Sequence, residues 1–245
     1  IMSEFKFPTE LVELPSKGLI YPEDHPLRKG TVEIKYMTAK EEDILTNQSY
    51  IKKGVVLDKL LQSLIVNKSI KYDDIIVGDK NALLIAARIL GYGATYEFEY
   101  NGEKESVDLS TLENVQFNED LITKGKNEFD YTLPKFKTNI SFKILDGKDE
   151  RAIERELQGL KKINKDANPE MSTRLKYIIT AIEGNPDRKS IREFVDNYLL
   201  AQDSRALRNY IKLVQPDVDL TFFPDGRTDD AIIPIGLNFF WPDAR

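Results

Sequence analysis

Val32-Glu33-Ile34-Lys35-Tyr36 and Ile140-Ser141-Phe142-Lys143-Ile144 are short runs of alternating apolar and polar residues standing 108 positions apart. Alternation with period two marks a strand that has one face buried and the other wet. The residues just beyond each run are also alike. Thr38-Ala39-Lys40-Glu41 and Asp146-Gly147-Lys148-Asp149 both place an oxygen-bearing side chain three residues ahead of an acid. That is the spacing of a capping box, which satisfies orphan amides at a helix start, with Asp a weaker fourth residue than Glu.

The likeness continues down the chain. Leu57, Leu60, Leu61 and Leu64 fall at i, i+3, i+4 and i+7, and Leu175, Ile178, Ile179 and Ile182 repeat the spacing 118 positions later. Each set predicts one apolar stripe on a helix. Leu83, Ala86, Ala87 and Leu90 match Leu207, Tyr210, Ile211 and Val214 at an offset of 124, with Asp79 and Asp203 as candidate caps. Aromatic strands come next in both places, Tyr96-Glu97-Phe98-Glu99-Tyr100 and Leu220-Thr221-Phe222-Phe223, and run to Asn101-Gly102 and Asp225-Gly226. Such pairs tolerate the positive φ that a two-residue hairpin turn needs. A polar loop from Lys161 to Met171, and an additional helix carrying Ile191, Phe194, Val195 and Tyr198 on one face, account for the growing offset.

These patterns predict an α+β fold made of two tandem copies of a strand–helices–β-hairpin unit. The expected boundaries are an extended N-terminal arm at 1–30, a first unit at 31–112, a linker at 113–133, a second unit at 134–236 and an aromatic C-terminal tail at 237–245. Pro8, Pro15, Pro22 and Pro26 disfavour regular helix or central strand in the arm.

Composition narrows the function. With 245 residues and 41% hydrophobic content the chain can bury a substantial core. It has no Cys, which excludes disulfides, thiolate metal sites and Cys nucleophiles. The net charge of −6 offers no electrostatic reason to bind a phosphate backbone, so nucleic acid is not an expected partner. No apolar run approaches the roughly 20 residues of a membrane-spanning helix, and the N-terminus lacks a signal-peptide layout, so synthesis in the cytosol is expected.

Candidate chemistry is sparse. Glu41, Glu42 and Asp43 are the densest acidic cluster, but adjacent helical positions diverge, and acids in a first turn favour the helix dipole. His25, the only histidine, has no nucleophile motif nearby. Gly91-Tyr92-Gly93 reads as a helix stop rather than a phosphate loop. Arg205, Arg208 and Lys212 share one side of the last long helix, as a solvated face or a contact for an acidic partner. No catalytic, cofactor-binding or metal residue is assigned, and no cofactor is expected. Two apolar groups stand out as partner-binding candidates. One is Leu14, Leu19, Ile20 and Tyr21, together with Leu11, in an arm too poor to form a core; the other is Phe239, Phe240 and Trp241 near the chain end. The tail either packs back on the second unit or docks on a partner; extended apolar arms clasp neighbours or add to sheet edges.

Leu14-Pro15-Ser16-Lys17-Gly18-Leu19-Ile20-Tyr21, the run from Met37 to Leu45, and Phe239-Phe240-Trp241-Pro242 resemble the baseplate protein family of T4-like contractile-tailed bacteriophages. The resemblance extends through nearly the whole chain, and its motifs encode no chemistry. It implies a non-enzymatic structural subunit of the tail baseplate, in its hub region, bound to other phage tail or baseplate proteins in a multi-subunit symmetric assembly. The location implied is the virion, with the host cytoplasm during assembly. The alternatives are a soluble hub assembly factor absent from the mature virion and, less in keeping with the sequence, a metal-dependent hydrolase using the acidic clusters. The two hairpins also resemble zinc-ribbon hairpins in outline but lack every Cys.

Overall fold

The computed structural model describes residues 8–224 and 231–240. In its first half, β1 (Thr9–Glu13) pairs antiparallel with β2 (Thr31–Lys35), Thr9 opposite Lys35 and Glu13 opposite Thr31. Val32 and Ile34 are buried and Glu33 is exposed, as the alternation requires. Residues 9–13 of the segment expected to be an extended arm are therefore a strand paired within the first half. Helices α1 (Ala39–Leu45), α2 (Gln48–Lys52), α3 (Val56–Leu64) and α4 (Val77–Tyr92) come after it. Then come β3 (Thr95–Tyr100) and β4 (Glu103–Asp108), joined at Asn101-Gly102. Both turn residues have positive φ, 51° and 82°, and the hairpin anticipated there forms.

The second half opens on β5 (Phe129–Thr132), which pairs with β6 (Asn139–Phe142). The stretch expected to be linker thus ends as a strand. After α5 (Gly147–Ile163) comes α6 (Glu170–Ile178), and the chain passes straight into β7 (Ile179–Ile182), which pairs with β6. The stripe Leu175, Ile178, Ile179, Ile182 accordingly straddles a helix and a strand. Periodicity misled because an apolar run of four suits either period. The helices α3 and α6, 114 positions apart, both span nine residues, and both close on the residue after them, Ile65 N donating to Leu61 O and Ile179 N to Leu175 O. The additional helix, α7 (Arg188–Asn197), buries Ile191, Phe194 and Val195, while Tyr198 lies just past its end, exposed. Then come α8 (Ala201–Val214), the short pair β8 (Thr221–Phe222) and β9 (Ala231–Ile232), and α9 (Leu237–Phe240). Asp225-Gly226 lies outside the described residues. The architecture is α+β. Among the described residues no helix is long and apolar enough to cross a membrane.

The halves are sewn together. Ile76, just before α4, forms an antiparallel bridge with Asp146, just before α5. Val77 N donates to Leu145 O at 3.1 Å, and Gly147 N donates to Ile75 O at 3.0 Å. Residues 113–118 lie along the end of α8 and the chain after it: Asp219 N donates to Glu113 O, Val115 N to Asp217 O and Asn118 N to Leu213 O, all between 2.7 and 2.9 Å. One continuous buried cluster runs through both halves. The tail crosses over as well. Phe239 meets Tyr96 edge-on at 4.7 Å, and the Tyr96 hydroxyl donates to Pro234 O. Phe239 and Phe240 are fully buried, so the described part of the tail packs on the first half, where neither expected placement had put it. Each ring buried this way contributes about 1.5–3 kcal/mol.

Close approach at Gly78 arises from the same joint. A Cβ there would stand 1.9 Å from Pro216 O, whereas one at Gly159, within α5, meets nothing. Gly78→Ala is expected to destabilise the fold by about 1–3 kcal/mol. Gly159→Ala should stabilise it by roughly 0.5–1 kcal/mol. Denaturant unfolding of both variants checks the contrast, and equal effects would contradict the packing described.

Candidate functional site

Asp79 and Asp203 are fully buried near the starts of two helices. Asp79 is the third residue of α4 and Asp203 the third of α8, and neither helix has a side-chain cap at its preceding residue, Ile76 or Leu200. Instead of capping their own helices, both acids hold a distant loop. Asp79 accepts hydrogen bonds from Ser16 N (2.9 Å), Ser16 Oγ (2.6 Å) and the Tyr21 hydroxyl (2.7 Å). Asp203 accepts from Lys135 N (2.7 Å) and Phe136 N (2.9 Å). Each loop leaves its strand through a Leu-Pro step, Leu14-Pro15 or Leu133-Pro134, and turns at a lysine of positive φ, Lys17 or Lys137. Burial pushes the Asp79 carboxyl up from 3.8 to about 6, against the lowering effect of its donors.

The acidic helix starts are likewise occupied. Glu41 closes the capping box with Thr38 and accepts from Lys35 Nζ (2.7 Å) and Ser63 Oγ (2.6 Å). Burial pushes its carboxyl up, but these donors outweigh it and hold the group at about 2. Asp149 does the same in the second half, closing the box with Asp146 and accepting from Lys143 Nζ (2.8 Å). Glu42 and Asp43 remain exposed on α1. His25 stacks on Tyr21 and accepts from Leu27 N, a structural placement. Among the described residues no group of three or more His, Asp or Glu is placed to hold a metal ion.

Two grooves remain. The larger, of about 560 Å³, lies between the halves, where α5 covers the groove between α3 and α4. Both of its arginines are paired. Arg174 forks onto Glu150 at 2.7 and 3.0 Å, Arg151 pairs with Asp73, and Lys80 Nζ lies 5.1 Å over the Tyr72 ring. Burial raises the Asp58 carboxyl and lowers the Lys80 ammonium. The second groove, of about 410 Å³, lies between α6 and α8 and is lined by Met171, Ser172, Leu175, Leu199, Ser204 and Arg208 among others. Met171 (53% exposed) belongs to it, and Leu200 (41%) stands between two of its lining residues, Leu199 and Ala201. Exposed apolar side chains gathered this way mark interaction surface.

Of the residues expected to bind a partner, Leu14, Ile20, Tyr21, Phe239 and Phe240 are buried within the chain itself. Leu19 is half-buried, its carbonyl accepting from Arg28 Nη1 and Gly125 N. Trp241 lies outside the described residues. The buried side chains serve the core, while Leu11 on β1 is 62% exposed. Sequence reasoning missed Met171 and Leu200. The signal was Leu199-Leu200 immediately ahead of a helix without a cap, two large apolar residues where a polar one is favoured. No family model, no curated protein and no solved structure matches this chain.

The raised Asp79 pKa has a sign that can be measured. The folded state holds a proton that the unfolded state has released, so this group's contribution to stability falls as pH rises from about 4 to about 6. Asp79→Asn removes that titration while leaving every other group in place. The stability difference between wild type and variant should therefore shift against the wild type by about 1–3 kcal/mol across that window. Chemical denaturation at pH 4, 5, 6 and 7 measures it; a difference independent of pH would contradict the burial assigned to this carboxylate.

Proposed function

We propose that the chain consists of two copies of one unit and works as a non-enzymatic protein-binding subunit of a larger particle. The tandem reading draws support from three correspondences. These are the Leu-Pro loops received by Asp79 and Asp203, the capping boxes with their Lys35 and Lys143 partners, and the matched helices α3 and α6. The observation that carries the binding role is the open groove between α6 and α8. It is apolar at Met171 and Leu175, basic at Arg208, and flanked by exposed Leu200. The larger cleft is in keeping with the same role, because Arg151 pairs with Asp73 across the two halves and Arg174 with Glu150, as residues holding a joint do.

The resemblance at Leu14–Tyr21, Met37–Leu45 and Phe239–Pro242 points this role to the baseplate of a contractile phage tail, with hub or neighbouring baseplate proteins as partners. The subunit would be made in the host cytoplasm and retained in the virion. Quantitative detection in purified particles against infected-cell extract tests the reading. The expected result is retention in particles at a copy number matching sixfold or threefold tail symmetry. Presence in extract alone, with particles failing to form when the gene is removed, would replace it with the transient assembly-factor reading.

A further inference from the structure

The joint between the halves is made once but has components twice. On the first half, the receiving surface is the groove between α3 and α4 with Ile75 and Ile76 at its edge. On the second half, the inserted part is Leu145-Asp146-Gly147 and the start of α5. The second half repeats the receiving surface. Leu57, Asp58 and Leu61 of α3 correspond to Met171, Ser172 and Leu175 of α6, while Ile75, Ile76 and Lys80 correspond to Leu199, Leu200 and Ser204. Yet Ile76 is 1% exposed under its bridge, whereas Leu200 is 41% exposed.

The first half in turn repeats the inserted part. Met37-Thr38-Ala39 stands where Leu145-Asp146-Gly147 stands 108 positions later, leading into the same capping box and the same lysine contact. In the filled joint the backbone groups of Ile75, Val77, Leu145 and Gly147 pair across it. Their counterparts, Leu199 O, Ala201 N, Met37 O and Ala39 N, make no hydrogen bond to another described residue. The charges also match. Glu42 and Asp43 are exposed on α1, and α8 carries Arg205, exposed, and Arg208, in the groove wall.

We propose that the groove between α6 and α8 receives the start of α1, Met37–Asp43, of a second copy of this chain, repeating between molecules the joint that already holds the two halves together. This rests on the tandem reading above. The contact is head-to-tail: each molecule offers one groove and one helix start, so association continues until a ring closes or a filament forms. Glu42 and Asp43 of one copy face Arg205 and Arg208 of the next, in a partly desolvated setting where such pairs fix register.

Two variants of the chain test this. Leu200→Arg places a charge in the groove, and Glu42→Arg with Asp43→Arg reverses the helix start. All three positions are exposed on the isolated chain, so circular dichroism and thermal unfolding should be unchanged. Sedimentation equilibrium of the wild type over a concentration series is expected to show masses rising past the dimer, and each variant alone should lose association. An equimolar mixture of the two variants should form dimers and nothing larger, because one intact groove and one intact helix start remain between them. A wild type that stays monomeric throughout would overturn the proposal, as would oligomers indifferent to both variants. A monomer that is still incorporated in particles would assign the groove to another protein, leaving the proposed subunit role standing.

Discussion

A carboxylate buried at the start of a helix, with no cation beside it, must find donors among the backbone and hydroxyl groups within reach. Asp79 and Asp203 meet this requirement in one way: each takes the amide of a loop that leaves a strand through a Leu-Pro step. The loop is thereby pinned to the helix, and the strands on either side of it are brought into register with each other. β1 and β2 close around the Asp79 loop, β5 and β6 around the Asp203 loop. Burial of Leu14, Ile20 and Tyr21 results from the first of these ties, and burial of Leu133 from the second. A segment that looks unattached in the sequence becomes part of a core because one acid holds its turn.

The ties are alike, but the joint between the halves is not. Ile76 meets Asp146, residues 113–118 run along the end of α8 and the chain after it, and the aromatic tail crosses from the end of the second half to β3 of the first. Among the described residues these contacts have no mirror image within the chain. A head-to-tail joint of this kind uses one face of each half and leaves the complementary face of each uncovered. The uncovered receiving face is where Met171 and Leu200 are exposed, and the uncovered helix start is where Glu42 and Asp43 point to solvent. On the proposed tandem reading, the asymmetry of the joint and the exposed surface have one origin.

Local physics made much of the fold legible in the sequence. Alternation located β2 and β6, the Asn101-Gly102 pair located the hairpin, and the acids at Glu41 and Asp149 located two helix starts. Each depends on residues within a few positions of one another. The failures were all of longer range. Nothing near Thr9 shows that it faces Lys35, and nothing near Phe239 shows that it meets Tyr96. The apolar run at Ile178–Ile182 was ambiguous in itself, and pairing with β6 decided it as strand. Asp79 and Asp203 were noticed as helix-start acids, but their partners lie 58 to 68 residues away, beyond the reach of a capping argument. The candidate partner residues were chosen for being apolar in poorly structured sequence, and that criterion selects core segments and docking segments alike.

The central claim is that the two loop ties are core elements of the fold although they are loops. Native-state amide hydrogen exchange at Ser16, Lys135 and Phe136 tests it directly. These amides donate to buried carboxylates, so they should exchange only on global unfolding, with the same opening free energy as the slowest amides of α4 and α8. Exchange at the rate of an exposed loop amide, such as that of Lys124, would contradict the account.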